Sequence, residues 1–194
     1  MGYAIAEAAL AEAHEIVLIS GPVNLEPGNA TLIPVSTSDE MFEAVHRYAD
    51  ECDICVLCAA VADYKPVKVS STKIKKHGAK FSLELVPTQD ILDSLGHKQD
   101  RQFVLVGFAA ETDHVEENAA KKLRAKNCDI IVANDVSSAD SGMESDANEV
   151  IILFRNGERE KISWAPKKII ARELVKIFSN FATKMFDKKN VTIN

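Results

Sequence analysis

The run Phe103-Val104-Leu105-Val106-Gly107-Phe108 offers water no polar face. Strands with one solvated side alternate apolar and polar residues, whereas a continuous apolar run belongs to a strand covered on both faces, the usual position in a parallel sheet. Asp53–Ala59 and Ile130–Ala133 have the same character. Segments of helical periodicity separate these runs. Ile5, Ala6, Ala9, Leu10 and Ala13 mark a helix over Gly2–Ala13, followed by the run Ile16–Ile19. Ser38 or Asp39 can cap a helix to about Asp50, and Asp113-x-x-Glu116 resembles a capping box for a helix reaching Lys126. This alternation implies an α/β, Rossmann-like three-layer fold with a mostly parallel sheet and helices on both faces.

The remaining segments fill in that frame. A Pro/Gly/Asn-rich loop ends at Asn29 and precedes a short strand, Thr31–Val35. Phe81–Val86 alternates as a strand does, after a flexible turn over residues 76–80, and Asp90 begins a short helix. After a polar loop, Ser137–Asn148, the runs Val150–Phe154 and Lys161–Trp164 flank Asn156-Gly157 and form a C-terminal β-hairpin. The hairpin departs from βα alternation and suits a sheet edge or a dimer contact. Pro166 opens a last helix to about Phe181, so residues 1–182 read as one domain and 183–194 as a loose tail. No strand precedes the first helix, so on this reading the chain starts partway through a βα unit.

Composition narrows the classes of function. A chain of 194 residues with 46% hydrophobic and 27% charged residues supports one substantial core. No stretch approaches the roughly 18–20 apolar residues of a membrane span, and no secretory signal pattern is present, so a cytoplasmic protein without membrane partners is expected. A formal charge of −6 argues against broad nucleic-acid binding. Cys52, Cys55 and Cys58 are spaced like metal ligands, but within a strand residues three apart point to opposite faces. These cysteines and Cys128 are therefore expected to be buried, reduced thiols.

Parallel sheets bind ligands beyond the carboxyl ends of their strands. Asp63, Phe108 and Asn134 all fall near such ends and share one rim on this reading. Neither common phosphate loop occurs, the five histidines lack metalloprotease spacing, and no Ser or Cys has an evident base. Lysines are then the best phosphate ligands. Lys73, Lys75 and Lys76 follow Asp63 after a short loop. Lys122 and Lys126, four apart, share a helix face, though they could equally complement the dipole of their own helix. Asp90 could be an N-cap only. The acidic stretch Asp140–Asp146 lacks EF-hand spacing and reads as a solvated turn.

Taken in order, SGPV (Ser20–Val23), AAVADY (Ala59–Tyr64), KIKK (Lys73–Lys76), GFAAET (Gly107–Thr112) and AND-V (Ala133–Val136) resemble phosphopantothenoylcysteine synthetase, also called phosphopantothenate–cysteine ligase. The likeness runs from Gly2 to about Phe178. It implies a dimeric enzyme of coenzyme A biosynthesis that joins 4′-phosphopantothenate to L-cysteine with CTP through an acyl-cytidylate. CMP and pyrophosphate would be released, with Mg²⁺ required. In many bacteria this domain is fused to an FMN-dependent decarboxylase half, which would be the only place for a flavin.

The resemblance also implies residue roles. Asp63 would serve the ribose or the metal, Lys73 the triphosphate, and the turn through Lys80 would close over the site. Gln89, Asp90, Ile91 and Leu92 would line the nucleotide pocket, with Phe108 near the cytosine or ribose. Lys122 and Lys126 would reach the triphosphate, a role the resemblance favours over the dipole. Lys73 and, on the same rim, Asn134 are the candidates for catalysis. The family's first strand, glycine-rich turn and phosphate-binding segment have no counterpart before Gly2. An inactive nucleotide-binding or dimerisation module is therefore one alternative. An NAD(P)-dependent reductase on a similar fold is another, disfavoured by the missing dinucleotide fingerprint.

Overall fold

The computed structural model describes residues 1–76, 78, 80–135 and 147–191. Among them, β3 (Ile54–Leu57), β6 (Val104–Glu111), β7 (Ile130–Asp135), β8 (Ala147–Phe154) and β9 (Arg159–Pro166) form a five-stranded sheet in the order β3-β6-β7-β8-β9. β3, β6 and β7 are mutually parallel, and the β8–β9 hairpin adds two antiparallel strands at one edge. β1 (Val17–Ser20) and β2 (Thr31–Pro34) form a separate parallel pair, while β4 (Tyr64–Pro66) and β5 (Leu85–Pro87) form an antiparallel arm.

The period-two geometry of β6 explains the two cores. Val104 and Val106 point to a cluster with Ile5 and Ala9 of α1 (Gly2–Ala11) and Ile170 and Leu174 of α5 (Lys167–Val191). Leu105 and Ala109 point to the other face, against Val45 of α2 (Ser38–Ala49), Leu95 of α3 (Ile91–Gly96) and Leu123 of α4 (Val115–Ala125). A strand with helices on both faces has no use for polar residues, which is why its sequence is continuously apolar. The expected three-layer α/β architecture, with its mostly parallel core and C-terminal hairpin, is what the chain adopts.

Glycine is required at two points of close approach. A Cβ on Gly107 would lie 2.8 Å from Ile131 Cδ1 and from Leu92 Cδ2, so the bare backbone lets α3 settle onto β6. On Gly96 it would lie 1.8 Å from the Lys126 carbonyl oxygen, where the end of α3 meets the end of α4.

Several boundaries differ from the sequence expectation. α2 is capped by Thr37, not Ser38 or Asp39; its hydroxyl accepts from Glu40 N–H at 3.1 Å while the Glu40 carboxylate accepts from Thr37 N–H at 3.2 Å. The expected capping box at Asp113 does not form. α4 begins at Val115 after His114 in a left-handed conformation, φ 43°, and the Asp113 carbonyl instead accepts from Asn118 Nδ2 at 3.1 Å. β6 runs on to Glu111, β3 is shorter than Asp53–Ala59, and of Phe81–Val86 only Leu85 and Val86 pair. Pro166 ends β9, and α5 opens at Lys167. The expected loose tail after Thr183 continues α5 to Val191, because Met185 and Phe186 pack against the first core. The acidic stretch Asp140–Asp146 and Val136 lie outside the described residues. No helix among the described residues is long and apolar enough to cross a membrane.

Candidate functional site

Because β3, β6 and β7 are parallel, their carboxyl ends open on one edge of the sheet. Asp63 lies beyond the end of β3 and is exposed. Phe108 and Asn134 lie inside β6 and β7, not past their ends, since both strands are longer than expected. In register, Phe108 sits opposite Val132 and Asn134 opposite Ala110, so both belong to the last stretch of pairing before the edge.

Thr88 joins Asp63 to the next segment. Its N–H donates to the Asp63 carbonyl at 2.9 Å and its hydroxyl to the Ala62 carbonyl at 2.6 Å. That seam holds exposed Gln89 and Asp90 beside Asp63. Asp90 is the N-cap of α3: its Oδ1 accepts from Asp93 N–H at 2.8 Å. It has a second engagement as well, because Lys126 Nζ is 2.9 Å from Asp90 Oδ2. Burial works to raise the Asp90 carboxyl, yet the Asp93 N–H and Lys126 hold it below the usual carboxylate range. Lys126 is raised in turn, first by its hydrogen bond to Asp90.

Lys122 and Lys126 therefore do more than complement their own helix. Lys122 Nζ donates to the Phe108 carbonyl on β6 at 2.9 Å, and Lys126 reaches across to α3. Of the expected residues, Asp63 is tied by Thr88 to the segment that carries Gln89 and Asp90, while α4 sends Lys126 to Asp90 and Lys122 to the Phe108 carbonyl. Ile91 is placed differently: it is buried in the second core, and Leu92 packs beside Gly107. Lys73 is exposed on the β4–β5 arm, and among the described residues no hydrogen bond or ion pair ties it or Asn134 to the cluster. Two participants carry no signal in the sequence. Asp93 also contacts Lys126, at 3.3 Å, and Lys65 at the base of the arm is ion-paired with Asp39 at the start of α2.

Among the described residues no three or more His, Cys, Asp or Glu side chains are arranged to hold a metal ion. Asp63 has an exposed carboxylate and fits one ligand of a Mg²⁺ whose other ligands are phosphate and water, the usual arrangement for this ion. Asp90 does not fit that role while its two oxygens serve a cap and a lysine. A shallow depression of about 360 Å³ lies elsewhere, among Glu116, Ile151, Arg159, Glu160 and Lys161. Its walls are already ion-paired, Arg159 with Glu116 and Lys161 with Glu149, so it offers a ligand less than the rim does.

Residues 1–181 match the family model described as the DNA/pantothenate metabolism flavoprotein C-terminal domain. The chain belongs to that family. It is 45% identical over 177 residues, 90% of its length, to the coenzyme A biosynthesis bifunctional protein CoaBC of Bacillus subtilis (strain 168), and 41% identical over 176 residues to that of Haemophilus influenzae. It spans 43% and 44% of those two relatives, under half of their length. The crystal structure of the C-terminal domain of a CoaBC superposes with a TM-score of 0.77 at 38% identity, covering 96% of this chain and 82% of that one. The family named by the ordered motifs is thus the family the whole domain matches.

Proposed function

We propose that this domain is the ligase of coenzyme A biosynthesis that condenses 4′-phosphopantothenate with L-cysteine, using CTP. The observation that carries the reading is the set of contacts by which Thr88 ties Asp63 to the Gln89–Asp90 segment, Lys126 reaches Asp90, and Lys122 reaches the Phe108 carbonyl. Relatives 45% and 41% identical, each named a coenzyme A biosynthesis bifunctional protein, support it.

A carboxylate is a poor acyl donor, so the reaction needs a leaving group. In this reading the phosphopantothenate carboxylate attacks the α-phosphate of CTP, pyrophosphate departs, and the cysteine amine then displaces CMP from the acyl-cytidylate. Lys122 and Lys126, both presented by α4, face the phosphates and offset the charge that grows on the departing pyrophosphate. Lys73 approaches from the arm and completes the enclosure. Phe108 and the Gln89–Leu92 backbone hold the nucleoside end, and Asn134 lies on the same edge as a second candidate for contact with the reacting groups. Mg²⁺, with Asp63 as its protein ligand, supplies charge neutralisation of the triphosphate. Among these residues positioning and electrostatics carry the rate, and none need act as a covalent nucleophile.

The reading extends to two assembly features. Among the described residues no strand pairs with the outer edge of β9, and Trp164 on β9 is 52% exposed, which suits a homodimer contact. A decarboxylase half or subunit would carry any FMN, and no residue of this chain is assigned to it.

The test is pyrophosphate release by the intact protein. It is expected only when CTP, 4′-phosphopantothenate and Mg²⁺ are all present, and Lys73→Gln should raise the KM for CTP about tenfold or more, as loss of a charged phosphate contact does, without lowering the melting temperature. A melting temperature raised by CTP–Mg²⁺ with no turnover would favour a nucleotide-binding module instead. Tight NADPH binding with no response to CTP would favour a reductase.

A further inference from the structure

The Lys126 ammonium already has two anions. Its Nζ lies 2.9 Å from Asp90 Oδ2 and 3.3 Å from Asp93 Oδ1. Two carboxylates offset most of the field this ammonium could project toward a phosphate and leave one of its three N–H donors for it, so the phosphate contact strengthens if one carboxylate yields. The two differ in their freedom to do so. Asp90 Oδ1 caps α3 through the Asp93 N–H, and turning it away uncaps the helix. The Asp93 carboxylate has no such duty. Its side chain is 44% exposed, and its other close neighbour is the His97 ring, whose Nδ1 is 3.7 Å from the same Oδ1. The backbones around this pair are fixed. Asn127 Nδ2 donates to the Gly96 carbonyl at 2.6 Å, and the Gly96–Lys126 contact leaves no room for a Cβ. Any exchange of partners is therefore made by side chains alone.

We propose that Asp93 is a resting-state counter-ion of Lys126 that an incoming triphosphate displaces, so that Asp93 weakens nucleotide binding and eases release of the phosphate product. Asp93 touches no substrate; it tunes the site through Lys126. The inference rests on the ligase reading for the identity of the anion. Its physical content is a competition: Asp93 and a phosphate oxygen want the same ammonium. A half-exposed ion pair is weak enough to exchange readily, but whatever it contributes is subtracted from affinity. When Lys126 leaves, the His97 ring remains beside Asp93.

The test is calorimetric titration of the intact protein with Mg–CTP and with inorganic tripolyphosphate, in wild type, Asp93→Asn, Lys126→Met and the double variant. Asp93→Asn should bind both probes about two- to fivefold tighter at low salt, the size expected of one partly exposed ion pair. The gain should shrink at high salt and vanish in the Lys126→Met background. Asp93→Glu, which keeps the charge, should bind as wild type does. Weaker binding by Asp93→Asn, or a change that persists without Lys126, would show a merely structural residue and overturn the proposal. If wild type binds CTP and Asp93→Asn gains nothing, the counter-ion role fails and the ligase reading stands. If wild type binds neither probe, both fall.

Discussion

Cys52 and Cys55 shift each other's ionisation in opposite directions, although residues three apart on a strand should face opposite ways. The reason is that Cys52 precedes β3, in the turn after α2, and only Cys55 belongs to the strand. That turn frees Cys52 to donate to the Ala49 carbonyl at 3.3 Å and to lie beside the Cys55 thiol, which lowers the Cys52 pKa and raises that of Cys55. Cys58 is raised by burial, and Cys128, 1% exposed, is raised by burial to about 12. With that value, about one Cys128 in ten thousand is a thiolate at pH 8, and the thiolate is the form that reacts. Iodoacetamide should therefore label Cys52 first and leave Cys128 untouched until the protein unfolds, as peptide mapping at timed intervals would show. Native-state labelling of Cys128 at the rate of Cys52 would contradict the packing described for β7 and α4.

At the scale of elements, the β4–β5 arm has few supports among the described residues. Its base is held by Thr88 on Ala62 and Asp63 and by the Lys65–Asp39 ion pair, and its ladder extends one bond further, from Val67 N–H to the Glu84 carbonyl at 3.0 Å. Beyond that, Val69 is 87% and Phe81 69% exposed, and Lys73, Lys75, Lys76 and Lys80 are exposed with them. Trypsin should cut first after these lysines, and Mg–CTP should slow those cuts if the arm closes over the nucleotide through Lys73. Gel-resolved digestion with and without Mg–CTP checks this; indifference to CTP would remove Lys73 from the proposed site.

The arm also shows where sequence pattern loses its force. Phe81, Leu83 and Leu85 alternate as in a strand, but alternation specifies faces and not partners. β4 is three residues long, so most of that pattern has nothing to pair with. The same limit applies to Asp113 and Glu116, which have capping-box spacing while the chain turns through a left-handed His114 between them. The continuous apolar runs are decisive because few positions besides a strand covered on both faces tolerate six apolar residues in a row. Rim residues at strand ends are legible on similar grounds: parallel strands bring their carboxyl ends together whatever the loops do. Asp93 is not legible, since its partner Lys126 is 33 residues away and the pairing depends on how α3 docks against α4.

Across the whole molecule, the ion pairs divide by burial. Lys126 with Asp90 and Asp93 is partly exposed and exchangeable, whereas the chain where β6 and β7 begin holds a buried carboxylate. Asp129, 5% exposed, receives the Leu105 N–H at 2.8 Å on Oδ2, with Arg101 Nη1 3.1 Å from the same oxygen and Arg155 Nε 3.5 Å from Oδ1. The chain leading into β6, the start of β7 and the end of the hairpin are thereby tied to one carboxylate. Burial lowers the Arg101 pKa and the Asp129 charge works against that, so Asp129 is what makes a buried guanidinium tolerable. Asp129→Asn keeps the shape and removes the charge, leaving Arg101 uncompensated. The expected loss is about 3–5 kcal/mol, against about 0–1 kcal/mol for Arg159→Ala, which breaks only the exposed pair with Glu116. Urea unfolding of the two variants measures both losses. A loss under about 1 kcal/mol would mean that Asp129 does not compensate Arg101 as described.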